Sequence, residues 1–409
     1  MALSNSTKQS INEFDVQHPG AIRMNSSKVP AQEGVYSLVI AAGGTGVDAL
    51  LETKGLINMT CCEDANTKNK PTPNVAYRAF DTDKRSVEEV HSSARTGGVM
   101  LDAQKGEFVQ MKAPDIATFL SDKFRDSVPE YIRSWLDFGI DPIAGGDGAG
   151  GIRQCGRLLM FMNIDRVKDA IESAIRTMVA DKPVEALNIY LMTGVGGGTG
   201  SGTFIDLAYI ARQVASEILP NKVTMYGYIF MPDVNLSKPV TEDARKYIQK
   251  NGYAALKELD YLMNMHEEKG KFVQRYSDNF VVDTDMAPFQ YLHLISGSGT
   301  GDTSVLKDPY RHGMWAVAQS VLSFVAQEQA AAGSGGFAMR SHYVNIKRSV
   351  DMHVRKYPER RNPYLALGAS SYELPMDDIL LYVTSLLFEK MDGMFGRTPT
   401  QEEVNKAYV

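Results

Sequence analysis

Cysteine is scarce: Cys61, Cys62 and Cys155 are the only three in 409 residues. They form no CxxC pair and no disulfide framework, and adjacent thiols do not easily chelate one metal. They read as buried, reduced side chains. A strong charge of one sign is also missing. Forty-three Lys and Arg against 49 Asp and Glu leave a net charge of −6, with no basic stripe interleaved with aromatics. That argues against nucleic acid as a direct partner. No apolar run is long enough to span a bilayer and no signal-peptide pattern opens the chain, so the expected location is cytoplasmic. The motif GxxxxGK(S/T) is absent, as are HExxH and any Ser/His/Asp arrangement; His266-Glu267-Glu268-Lys269 reads as a solvated helix end. What remains is 44% hydrophobic and 22% charged, an ordinary globular composition on a chain long enough for a large core.

Glycine, by contrast, is concentrated where it carries information. Residues 194–202 read Gly-Val-Gly-Gly-Gly-Thr-Gly-Ser-Gly, after an apolar run (187–192) and before a helical pattern (204–219). A strand–glycine turn–helix sequence lets backbone N–H groups approach an anion, and the helix N-terminus adds partial positive charge. The reading is a phosphate cradle.

Other turns repeat the arrangement. The run 36–42 has strand length and ends in Gly43-Gly44-Thr45-Gly46. A second strand, 75–80, ends in Asp81-Thr82-Asp83. Residues 145–151 form a further glycine loop, and a helix is expected from 157 to 179, with Ile164, Val167, Ile171, Ala174, Ile175 and Met178 on one face. A strand at 222–230 ends in Met231-Pro232-Asp233. It is followed by a helix (242–264), a polar excursion (266–286), a strand (290–295), a long helix (306–331), and finally a strand (365–374) and a helix (376–391). Helices near 114–126 and 129–138 are also expected. Strands alternating with helices predict an α/β, doubly wound parallel sheet, which binds ligands beyond the carboxyl ends of its strands. A nicotinamide-dependent dehydrogenase is the weaker alternative. The loop at 43–46 lacks GxGxxG, and that reading leaves 194–202 unexplained even with Asp81 as the ribose acid.

Gly196-Gly197-Gly198-Thr199-Gly200-Ser201-Gly202 matches the tubulin/FtsZ signature GGGTGSG. Further segments resemble that superfamily in the same order. Gly43–Gly46 resembles its first glycine loop, and Asp81-Thr82-Asp83 its Asn-Thr-Asp strand end. Gly148-Ala149-Gly150-Gly151 with Gly156-Arg157 resembles the GAGxNPxxGR loop, which in the family closes over the γ-phosphate. Arg245, seven residues before Gly252, resembles the arginine on the ribose side. The resemblance covers about 35–390 and is nearest to the divergent bacterial tubulin-like group. It implies a GTP/GDP site with phosphates held by 43–46, 148–151 and 196–201, where the Thr199 and Ser201 hydroxyls add hydrogen bonds. It further implies Asp233 and Arg245 beside the nucleotide and Tyr310 stacked on the base. Mg2+ is implied through nucleotide and water near Asp81 or Asp83, with no direct protein ligand. The implied partner is a second copy, joined head to tail into filaments, with hydrolysis completed across the contact.

Three departures qualify this. The strand before the central helix ends Leu294-Ile295-Ser296-Gly297-Ser298, without the family's base-reading asparagine, and Met314 stands where an amide or carboxylate is expected. The loop that normally supplies acids to the neighbour's nucleotide reads Arg340-Ser341-His342-Tyr343-Val344-Asn345-Ile346-Lys347, placing His342 and Asn345 at the catalytic positions. Either hydrolysis is slow or absent, making the chain a nucleotide-gated scaffold, or another register brings in Asp351 or a different acid. Finally, a single strand follows the central helix. It joins the main sheet, pairs between subunits, or belongs to a longer protein, as the ending at Tyr408-Val409 suggests. The expected organisation is an N-terminal arm (1–33), a nucleotide-binding domain (34–305), a central helix (306–332) and a partial second domain (333–409). An adaptor is expected to engage the arm or a missing C-terminal region.

Overall fold

The computed structural model describes residues 34–61, 74–83, 99–112, 116–121, 125–140, 149–180, 182–265, 269–297, 308–325, 364–367, 376–395 and 400–402. The chain divides into two units, Val29–Ala369, and Met1–Lys28 with Ser370–Val409. The larger unit runs β1 (Val35–Ala42), α1 (Gly43–Cys61), β2 (Val75–Asp81), β3 (Phe108–Gln110), α2 (Ile116–Leu120), α3 (Glu130–Arg133), α4 (Arg153–Met162), α5 (Ile164–Val179), β4 (Ala186–Gly194), α6 (Gly198–Ile218), β5 (Val223–Phe230), α7 (Pro232–Leu236), α8 (Glu242–Asn264), β6 (Phe272–Ser277), β7 (Phe280–Thr284), β8 (Tyr291–Ile295), α9 (Pro309–Val325) and β9 (Tyr364–Ala366). In the other unit the main element is a single helix, α10 (Met376–Phe395). Among the described residues no helix is long and apolar enough to cross a membrane.

Seven strands form one sheet in the order β3-β2-β1-β4-β5-β8-β9, and every neighbouring pair is parallel. Parallel sheets carry helices on both faces, which explains why β1 and β4 are buried at every position and read as near-continuous apolar runs. Alternate residues serve opposite faces. Leu38 and Ile40 of β1, with Ile189 and Leu191 of β4, join the core under α4, α5, α6 and α8. Val39, Ala41, Tyr190 and Met192 join the core under α1 and α9. On that second face Tyr190, Tyr226 and Tyr291 stack in register across β4, β5 and β8, with ring centroids 5.0 Å apart at each step.

The strand order reverses between β1 and β4. The chain leaves β1 toward β2 and β3 on one side, then returns to build β4, β5 and β8 on the other. β1 and β4 therefore lead at their carboxyl ends into helices on opposite faces of the sheet, the crevice position at which doubly wound sheets bind ligands.

Four expectations are corrected. The helix expected at 157–179 is two helices, broken at Asn163, whose side-chain amide donates to Leu159 O (2.8 Å) and Lys112 O (2.9 Å). An Asn that hydrogen-bonds nearby backbone offers the chain an exit from the helix. The polar excursion at 266–286 contains the β6–β7 hairpin. Its Tyr276, Phe280 and Val282 pack inward while Val273 and Val281 face solvent, so its hydrophobicity is spread thinly. The glycine run 194–202 is mostly not loop: β4 continues to Gly194 and α6 begins at Gly198. The last strand, expected at 365–374, is Tyr364–Ala366 and joins the main sheet beside β8; residues 368–375 lie outside the described residues.

Candidate nucleotide site

The carboxyl edge at β1 and β4 gathers the glycine segments. β1 passes directly into α1 at Gly43, whose φ of +70° is one that L side chains rarely adopt. A Cβ on Gly43 would stand 2.7 Å from Gly200 N, so the first turns of α1 and α6 touch backbone to backbone. Most glycines here serve packing of this kind. A Cβ on Gly46 would meet Met192 O at 2.3 Å, and one on Gly202 would meet Arg153 O at 2.2 Å. Gly197 differs: it is exposed, and a Cβ there would meet nothing within 4 Å. Gly197 is also the N-cap of α6 and supplies no side-chain acceptor, leaving the first-turn N–H groups without a side-chain cap. Gly44 and Gly150 are exposed as well. The crevice is thus rimmed by the starts of two helices.

Hydrogen bonds tie the segments together. Asp81, buried at the end of β2, accepts the N–H groups of Thr82 (2.7 Å) and Asp83 (3.4 Å) on Oδ1 and so shapes that turn. Thr82 shares a hydroxyl hydrogen bond with Thr199 (2.6 Å), and its Oγ1 also accepts Ala149 N–H (3.0 Å). Ser201 is buried and its hydroxyl donates to Asn251 O at 3.4 Å. Asn235, on α7, donates to Thr45 Oγ1 at 2.9 Å. The sites at 43–46, 81–83, 149–151 and 196–201 therefore come together around one edge.

The remaining candidates are more dispersed. Asp233 accepts Ser296 Oγ (2.6 Å) and Gly297 N–H (2.9 Å), joining the ends of β5 and β8. Tyr310, at the start of α9, donates to Asp48 Oδ2 (2.6 Å), and the Lys238 ammonium lies 3.2 Å from its ring centroid. One face of that ring is thus covered by a cation. Arg245 lies exposed in the first turns of α8. Arg157 pairs with Asp206 through Nε (2.7 Å) and Nη2 (3.1 Å), its guanidinium 4.5 Å from the Trp135 ring centroid; Tyr276 OH donates to the same carboxylate (2.7 Å). It fastens α4 to α6 and the hairpin. Burial pushes the Cys155 thiol up, so it stays protonated. Gly148, His342 and Asn345 lie outside the described residues.

Sequence reasoning passed over Thr82, Asn235 and Asn251. Thr82 stands between two aspartates, the residue type expected near a metal-bound phosphate. Asn251 left one trace, an Asn-Gly pair in the middle of a helix, where both residues are poor helix formers.

A family model described as "Tubulin like" matches residues 38–391. Similar solved structures include a GTPγS-bound protofilament of CetZ2 from Haloferax volcanii, 15% identical, with 70% of this chain and 57% of that chain covered at a TM-score of 0.38. An empty FtsZ dimer from M. jannaschii is 13% identical, with 80% and 61% covered at 0.37. A GTPγS-form protofilament of TubZ from Bacillus thuringiensis serovar israelensis is 12% identical, with 78% and 62% covered at 0.37. This chain spans about three fifths of the length of these relatives. No curated protein matches it. With a sheet whose glycine-rimmed crevice opens where the strand order reverses, and a family match over most of its length, the chain belongs to the tubulin-like family.

Proposed function

We propose that the chain binds a guanine nucleotide with Mg2+ at the β1/β4 edge and assembles head to tail into cytoplasmic filaments. One observation carries the reading: α1 and α6 both begin in glycine-rich first turns on the two strands that flank the reversal of strand order. Helix N-termini present unpaired N–H groups and partial positive charge, the chemistry a phosphate needs. Membership of the tubulin-like family supports the same reading.

In this reading the N–H groups around Gly44, Gly197 and Thr199 bind the phosphates, with residues 148–151 closing the opposite side. The donor set fits an anion, since the described glycine segments offer backbone N–H groups and Thr199 a hydroxyl. Mg2+, when bound, would neutralise phosphate charge; Asp83, half-buried just past the end of β2, would hold it through water, while Asp81 keeps the turn in shape. Asp233 and Arg245 flank the sugar. Tyr310 stacks on the base, either with the ring face away from the Lys238 ammonium or after that ammonium moves aside. His342 and Asn345, approaching from the neighbouring subunit, orient the attacking water. Neither is a carboxylate, so they stabilise a cation–water cluster less than the family's acids would, and turnover is slow.

The test combines mant-GTP binding, sedimentation with and without GTP, and phosphate release across protein concentrations. Saturable binding, GTP-dependent pelleting, and slow release that rises cooperatively with concentration are expected. Binding and pelleting without release at any concentration support a nucleotide-gated scaffold instead. Absence of mant-GTP binding overturns the proposal.

A further inference from the structure

Asn251 sits in the middle of α8 with 8% of its surface exposed, yet it reaches two loops of the candidate site at once. Its side-chain NH2 donates to Gly151 O at 2.8 Å and to Gly196 O at 2.9 Å. Both amide hydrogens are therefore spent on carbonyls from segments that are far apart in sequence. Its own backbone carbonyl accepts the Ser201 hydroxyl at 3.4 Å, adding the first turn of α6 to the same knot. The helix beneath is seated closely, because a Cβ on the adjacent Gly252 would stand 2.1 Å from Pro232 Cγ.

The bond to Gly196 O has a geometric consequence. In a trans peptide the carbonyl and the following N–H point in opposite directions. Holding Gly196 O toward α8 turns the Gly197 N–H away from α8. Gly197 is the exposed glycine with open space at its Cβ position. A peptide between two glycines meets little steric resistance to rotating end over end. Rotation would replace a donor with a carbonyl dipole of the wrong sign for an anion. Among side chains, an amide satisfies two carbonyls without bringing charge: aspartate has no donor when ionised, and lysine adds a cation.

We propose that Asn251 is a positioning residue that locks the Gly196–Gly197 peptide with its N–H toward the ligand and couples it to the loop at Gly151. It does not touch the ligand. The inference rests on the nucleotide-binding reading above, and its test separates the two. Asn251→Asp keeps the shape and loses both donors. Asn251→Gln keeps both donors one methylene farther out.

Mant-GDP binding, thermal midpoint without nucleotide, and amide hydrogen exchange over 195–199 are measured on the full chain. The expected result is an affinity loss of about tenfold or more for Asn251→Asp, with a smaller loss for Asn251→Gln. Exchange over 195–199 becomes faster in the same order, and the thermal midpoint stays within a few degrees of the parent. Parent-like binding and exchange in a folded Asn251→Asp overturn the proposal. So does unfolding of both variants, which makes Asn251 a core residue. A parent chain that fails to bind mant-GDP defeats the nucleotide reading, and the proposal falls with it.

Discussion

The hydroxyls of Thr82 and Thr199 lie 2.6 Å apart, joining the end of β2 to the first turn of α6. Because Thr82 Oγ1 also accepts the Ala149 N–H, three segments meet at one buried oxygen. Thr82→Val keeps the side-chain shape and removes the acceptor. It should destabilise the protein by about 1–3 kcal/mol, the usual cost of a buried donor left unpaired. Thr199→Val should couple to it, so urea denaturation of the double variant should show a loss smaller than the sum of the single losses. Strict additivity would mean the two hydroxyls act independently.

Two glycines of the site should respond oppositely to one added methyl. Gly46→Ala drives a Cβ to 2.3 Å from a backbone oxygen and should cost about 2–3 kcal/mol, read as a lower thermal midpoint. Gly197→Ala meets open space with φ at −82° and ψ at 166°, which alanine adopts readily. Its stability should fall by no more than about 1 kcal/mol, the preference for glycine over alanine at an N-cap, while mant-GDP affinity falls ~10-fold because the methyl enters the ligand's space. Parent-like affinity in Gly197→Ala would place the ligand elsewhere.

Asp206→Asn should leave a guanidinium and a tyrosine hydroxyl without their shared carboxylate. A loss of about 3 kcal/mol is expected in denaturant unfolding, since one partner of a mostly buried ion pair is removed. Nucleotide affinity should change little, because Arg157 fastens helices and hairpin together rather than lining the crevice.

Acid should weaken the fold through His293. Burial holds its imidazole down to about 4, although its contact with Gly227 O at 3.3 Å pulls the other way. The unfolded chain titrates near 6.5. Above that pH both states are neutral and the residue adds no pH dependence. As pH falls below 6.5 the unfolded state takes up the proton first, and stability is lost progressively until about pH 4, by roughly 3 kcal/mol in all. His293→Phe keeps the stack on Tyr228, whose centroid lies 4.7 Å away, and should flatten this slope in urea titrations from pH 4.5 to 7.

Much of the architecture was legible because both-face burial writes a plain signal. Residues 36–42 and 187–192 are mostly apolar without alternation, the first ending just before Gly43 and the second two residues before Gly194. Their parallel pairing and the family signature followed from the same stretches. The glycines themselves were legible as a group but not in their division of labour. Gly202 is there for a neighbouring helix and Gly197 for open space, and only tertiary distances separate those roles. The hairpin at β6 and β7 was missed since its inward residues, Tyr276, Phe280 and Val282, alternate with exposed valines and polar residues and leave no clear inside–outside pattern. Asn251 was missed since its partners, Gly151 and Gly196, are brought to it by the fold alone.

The adjacency of β1 and β4 also governs when the site can exist during synthesis. Val35 pairs with Ala186, and β2, β3 and several helices must be made between them. A chain emerging from the ribosome carries its first glycine turn long before the second is available to face it. The crevice is therefore assembled late, by contacts of high sequence separation that form slowly. A nucleotide that binds only the completed edge would pull this late step forward by mass action, so its concentration in the cell would bear on the yield of folded chains as well as on their assembly.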